Sequence, residues 1–121
     1  MLDSAWRGTA PMKCGFTVLN HGDDWINNMM FKLDDQGNTV DFKFLDFQMS
    51  FWGSPAADLF YFIMSSIRDD IKVVHFDEII EYYHEILVES LKKLNYQHHI
   101  PTLMELIEEL KAKGDLGRIF I

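Results

Sequence analysis

Three residues within positions 18–48 have the types and the spacing for chemistry. Asp23 follows His21-Gly22 directly after an apolar run, Asn28 lies five positions on, and Asp46 ends a second apolar run that an intervening polar turn folds back beside the first. That order brings two carboxylates and an amide to strand ends at one mouth. Asp23 would take a proton from a substrate hydroxyl while Asn28 and Asp46 offer hard oxygens to magnesium, the donor set that phosphoryl transfer from a nucleotide requires. General-base work of this kind is worth roughly a factor of 100 to 10,000. Two carboxylates about 4 Å apart repel by roughly 4 kcal/mol at an effective dielectric of 20, which a divalent cation would relieve. Taken alone, H-G-D with an asparagine is a weak signal, because Asp and Asn near turns are most often turn formers.

The elements that must position these groups can be read from periodicity. Residues 1–15 lack it and are punctuated by Gly8, Pro11 and Gly15, which predicts a loose leader. A short strand is expected at 16–20. Apolar runs at 29–33 and 39–45 flank Asp34-Asp35-Gln36-Gly37-Asn38, the composition of a hairpin turn. In the second run Val40, Phe42 and Phe44 alternate with Asp41 and Lys43, which predicts one buried and one wet face. Residues 49–55 read as a structured loop packed on the protein. Pro55 suits the first turn of a helix over about 55–67, with Ser54 as its N-cap, and that helix is apolar nearly all round. Its one acid, Asp58, must face water or be satisfied by hydrogen bonds. An amphipathic helix is expected at 77–94, and a capping box of Thr102 and Glu105 opens a last helix over 102–113, with Gly114 as its stop. The apolar end Ile119-Phe120-Ile121 has no obvious partner.

Composition bounds the function. The 121 residues suffice for one domain, 48% apolar and 25% charged, as a soluble globular chain requires. Fourteen per cent aromatic is rich for this length, so the large side chains need more cover than the chain readily supplies. Nineteen acidic against 11 basic residues, a formal charge of −8, disfavour nucleic acid as a partner. No apolar run approaches the roughly 20 residues that span a bilayer, and no leader pattern opens the sequence, so no membrane partner and a cytoplasmic location are expected. The single cysteine, Cys14, rules out an internal disulfide and reads as a small, partly buried residue. His75, His84 and the His98-His99 pair show no zinc-ligand spacing and read as surface. Trp25 and Trp52 flank the site and read as packing before substrate framing.

The string H-G-D-x-x-x-x-N at residues 21–28, followed by D-F-Q at 46–48, resembles the catalytic and metal-binding loops of the aminoglycoside and choline kinase superfamily, distant relatives of protein kinases. The fuller strings V-L-N-H-G-D-D-W-I-N-N-M-M-F and F-L-D-F-Q-M-S-F-W-G-S-P-A-A-D-L resemble the ecdysteroid-kinase-like, or CHK-kinase-like, branch, with the likeness running over about 18–110. The resemblance implies an α+β fold: a protein-kinase-like C-terminal lobe over 16–121, mostly helical, with a small hairpin carrying a catalytic loop at 19–28 and a metal loop at 46–48. It implies ATP and Mg²⁺ as cofactors, Asp23 as catalytic base, Asn28 and Asp46 as magnesium ligands, and an ecdysteroid-like or choline-like alcohol as acceptor. His21 is then a scaffold residue, and Asp58 a buried acid that receives backbone hydrogen bonds from the catalytic loop. Gln48 stands where protein kinases have glycine, and Asp24 where an apolar residue is commoner; solvent is the expected place for Asp24. The nucleotide-holding N-terminal lobe is expected to be absent, leaving the chain inactive alone and free to associate with that lobe or with itself. Two rivals remain: a metal-dependent phosphoesterase, which would want more histidines near the acids, and a non-catalytic interaction module.

Overall fold

The computed structural model describes residues 10–114. Four short strands and three helices make it α+β. Strand β1 (Val18–Asn20) pairs antiparallel with β4 (Phe51–Gly53), and β2 (Met29–Leu33) pairs antiparallel with β3 (Thr39–Phe44). The run before Asp23 is therefore not the hairpin partner of the run before Asp46, contrary to the expectation from their order. It lies instead against the stretch expected to be a loop, with Leu19 opposite Trp52. Backbone pairing decides this: the β4 segment has too few residues to show a period, yet it supplies β1 with its ladder.

The hairpin is the one the turn composition predicts. Met29 faces Phe44 and Leu33 faces Thr39, and Asp34 closes the loop by accepting N–H bonds from Gln36 and Asn38 on its carboxylate. The expected buried face of β3 is not buried, since all six of its residues are exposed. Alternation identifies a face that is apolar, not one that is covered. Phe42 stacks edge-on against Phe44 at 5.2 Å but remains 48% exposed.

Helix α1 (Ala56–Ser66) starts where Pro55, at φ −62°, presets the first turn. Ser54 Oγ accepts from the Ala56 N–H at 3.1 Å, the capping role expected of it. Ile67 and Arg68 are extended, and α2 (Asp69–Lys93) follows, eight residues longer at its start than expected. Periodicity misses this start because Val73 and Val74 face solvent and mark no apolar stripe. Charges hold it instead: Asp69 and Asp70 favour the first turn's dipole, Lys72 pairs with Asp69, and Lys72 Nζ also donates to the Met64 carbonyl of α1. Asn95, at φ +57°, closes α2, with the Tyr96 N–H returning to the Leu91 carbonyl at 3.0 Å. Helix α3 (Leu103–Ala112) opens with both halves of the Thr102–Glu105 capping box.

The core is small. Ala56, Phe60, Ile63, Ile80, Leu106 and Leu110 pack where the three helices meet, each large side chain contributing roughly 1.5–3 kcal/mol by burial. A buried polar network ties the chain's early part to this core. Ser54 donates its N–H to the Ala10 carbonyl and its hydroxyl to Glu109, and Lys113 pairs with Glu109. Of the leader expected to be loose, residues 10–15 are described, and there Met12 is buried. Cys14, expected partly buried, is exposed beside this turn. The apolar end at 119–121 lies outside the described residues. Among the described residues, no helix is long and apolar enough to cross a membrane.

Candidate catalytic and metal-binding site

The site is hung from Asn20 and Asp58. Asn20, the last residue of β1 and 0% exposed, donates through Nδ2 to the Ser54 carbonyl at 3.1 Å and accepts the Asp58 N–H at 3.3 Å. Strand end and helix start are thereby locked together. The next two N–H groups, of His21 and Gly22, donate to the Asp58 carboxylate at 2.7 and 3.0 Å. That satisfies the one acid of an otherwise apolar helix. Gly22 turns the chain at φ +87°, and a Cβ there would run into the Met49 carbonyl, so both conformation and space demand glycine.

The His21 ring sits between Phe44 and Phe47, with centroids 5.4 and 5.2 Å away. Its Nδ1 accepts the Asp23 N–H at 3.1 Å, and its Nε2 lies 2.7 Å from the Leu45 carbonyl. Only the neutral ring with its proton on Nε2 meets both demands. His21 thus braces the loop against the segment that carries Asp46. A second brace is the Leu45 N–H, which donates to the Asn28 carbonyl at 2.8 Å.

Asp23 is held by two donors. Tyr61 Oη donates to Oδ1 at 2.5 Å, and Asn28 Nδ2 donates to Oδ2 at 2.8 Å and to the Asp23 carbonyl at 2.9 Å. The Tyr61 hydroxyl is pushed up to about 12, chiefly by that bond, since losing its proton would set a second anion against Asp23. A single 3-10 turn, Ile26–Asn28, spans the five-residue step between base and amide, and Ser66 of α1 anchors it by accepting the Ile26 N–H at 2.8 Å. With Nδ2 committed to Asp23, the oxygen is the atom of the Asn28 amide that could meet a ligand. Asp46 follows Leu45 directly, is exposed, and sits at φ +62°, a left-handed conformation uncommon outside glycine, asparagine and aspartate. A neutral and a charged oxygen on segments braced to each other suit magnesium in donor chemistry.

Asp24 departs from expectation. It is 7% exposed, its Oδ1 has no hydrogen-bond partner, and its acid is pushed up to about 8, first by burial and then by the negative charge of Asp58. Solvent was the expected place because charged residues follow water in general. Here the loop turns the Asp24 side chain inward, where Asp58 lies. Asp24 lines a cleft of about 510 Å³ between the hairpin and α1, with Asp58, Phe31, Phe42, Phe44 and Leu59 among its walls. Trp52 is 69% exposed on the outer side of the β1–β4 ribbon, so it does not pack as expected; Trp25 is also exposed.

Tyr61 escaped sequence reasoning although a signal existed. It lies three residues after Asp58 on α1, so the two share a helix face. The acid that ties down the loop and the hydroxyl that meets the base come from one turn of helix.

A family model, that of the ecdysteroid kinase-like family, matches residues 2–96. The match takes in both loops and all of α1 and α2, and it stops short of α3, which the resemblance in sequence had included. No curated protein and no solved structure matches the chain.

Proposed function

The chain belongs to the ecdysteroid kinase-like family, and from that premise we propose that residues 18–48 are the catalytic side of an ATP-dependent phosphotransfer to a hydroxyl of a small molecule, ecdysteroid-like or choline-like in character. The observation that carries this reading is the clamp on Asp23: Asn28 on one oxygen, Tyr61 on the other, and His21 bracing the loop from behind. A base held in one rotamer can meet an incoming hydroxyl without reorganising. Asp23 would take the proton of a substrate hydroxyl as its oxygen bonds to the terminal phosphorus of ATP and the bond to the ADP leaving group breaks. Asn28 keeps the carboxylate aimed throughout. Asp58 holds the His21-Gly22 backbone, and with it the register of base and amide.

Asn28 and Asp46 are the residues that would hold magnesium, which when bound with ATP offsets the negative charge of the phosphates. The family resemblance assigns the lysine, its glutamate partner and the adenine hinge to an N-terminal lobe. The described residues are accordingly read as part of a kinase-like C-terminal lobe that carries the base and the metal-binding residues. The formal charge of −8 supports a small-molecule partner over nucleic acid.

A magnesium titration tests the site. In a Trp6→Phe/Trp52→Phe background, Trp25 emission should change with magnesium only when ATP is present, and Asp46→Asn should remove the change. No response at saturating ATP would count against a working site. Turnover by the 121-residue chain that is abolished in Asp23→Ala would support Asp23 as the base.

A second reading, a non-catalytic module that binds a partner through its surface, is favoured by one observation: β3 exposes Val40, Phe42 and Phe44 in a row. Turnover of any alcohol that depends on Asp23 decides against it.

A further inference from the structure

Cys14, His99 and Glu105 come from three separate segments: the N-terminal turn, the connector after α2, and the first turn of α3. One ligand atom from each lies within 4.8 Å of the others. We infer that these three residues form a binding site for a transition-metal cation of the zinc type, independent of the magnesium site proposed above.

The donor set is selective. A thiolate, an imidazole and a carboxylate together suit zinc, cobalt or copper and not magnesium, which takes oxygen. Bond lengths of about 2.0–2.3 Å to such a metal put tetrahedral ligands roughly 3.3–3.6 Å apart, so Cys14 Sγ needs to close by at most roughly 1.5 Å while His99 Nε2 and Glu105 Oε1 open by roughly 0.7 Å. The side chains have the freedom to do so, since Cys14 is exposed and the His99 side chain is 56% exposed. Glu105 is the fixed member. Its Oε1 accepts the Thr102 N–H in the capping box at 3.1 Å, which orients the carboxylate before any metal arrives. His99 Nε2 already lies 2.6 Å from that same Oε1, and the cation takes the place of the proton between them. Cys14 gives up its thiol proton on binding, and His99 coordinates as the neutral ring.

The turn that carries Cys14 is also set in place without metal. The Gly15 N–H donates to the Met12 carbonyl at 2.8 Å, and Phe16 meets Tyr96 edge-on at 6.1 Å. A cleft of about 220 Å³ lined by Met12, Lys13, Cys14, Glu105, Glu108 and Glu109 opens beside two of the three ligands. Glu108 offsets the charge of Lys13, and Glu109 is paired with Lys113.

Cobalt titration of the whole chain, kept reduced by a non-chelating phosphine, tests the site. Because the sequence has one cysteine, a thiolate-to-cobalt charge-transfer band can arise only at Cys14. The expected result is one cobalt per chain, displaced by zinc, with no band in Cys14→Ser and affinity weakened roughly tenfold or more in His99→Ala. His98→Ala and Asp46→Asn should leave the band unchanged, since His98 packs on Tyr96 and Asp46 belongs to the other site. Circular dichroism checks that His99→Ala is folded. Absence of a band at saturating cobalt, equal affinity in wild type and His99→Ala, or one cobalt per two chains would each overturn the inference.

Discussion

Asp24 stands next to the proposed base and is treated in the opposite way. Asp23 has a donor on each carboxylate oxygen, whereas Asp24 is buried beside Asp58, whose two oxygens are already supplied by backbone N–H groups. The pair is relieved when Asp24 keeps its proton. Its acid lies at about 8 in the folded chain against an ordinary 3.8, so between those values the native state holds a proton that the unfolded state has released. Stability from this residue is full below the lower value and falls as pH rises toward the upper one, by up to about 1.4 kcal/mol per pH unit. Urea unfolding at pH 5 and pH 8 should show a steeper loss in the wild type than in Asp24→Asn. Equal slopes in the two proteins would mean that Asp24 is not protonated when folded.

Helix α3 contributes Leu106 and Leu110 to the core and Glu109 to the network around Ser54, yet it is only ten residues long. A helix of that length is marginal in isolation, so its ends matter. Thr102 and Glu105 satisfy two of its first N–H groups reciprocally. Thr102→Ala should lower stability by about 1 kcal/mol, seen as a smaller urea midpoint with an unchanged slope. If the cap were incidental, the midpoint would stay where it is. The same substitution removes the hydroxyl that accepts the Glu105 N–H but keeps the backbone N–H that donates to the Glu105 carboxylate, so cobalt binding at the site proposed for Cys14 and His99 should persist.

At the scale of the molecule, the hairpin is the least covered feature among the described residues, resting on the catalytic loop through Phe44 and His21. Two paired strands are marginal by themselves, and every side chain of β3 is exposed, including three large apolar ones. Exposed apolar side chains in a row favour contact with another surface. The chain should therefore self-associate, with scattering mass rising with concentration, and Phe42→Lys should shift it toward monomer. A wild-type chain that stays monomeric throughout would remove this face as a contact surface.

Local signals determined a great deal. The capping box at Thr102 and the Asp34 to Asn38 turn follow from interactions within a few positions, and both were legible. So were the apolar faces. Covering was not legible, because whether Val40, Phe42 and Phe44 are buried depends on what lies opposite them. The start of α2 was hidden for a related reason, being held by Asp69, Lys72 and the Met64 carbonyl and not by an apolar stripe. Only the tertiary structure decided that β1 lies against β4, that Tyr61 reaches Asp23, that Asp24 turns inward, and that Cys14, His99 and Glu105 meet. Each of these joins residues through packing of the backbone in space, and periodicity along one segment cannot encode a partner on another.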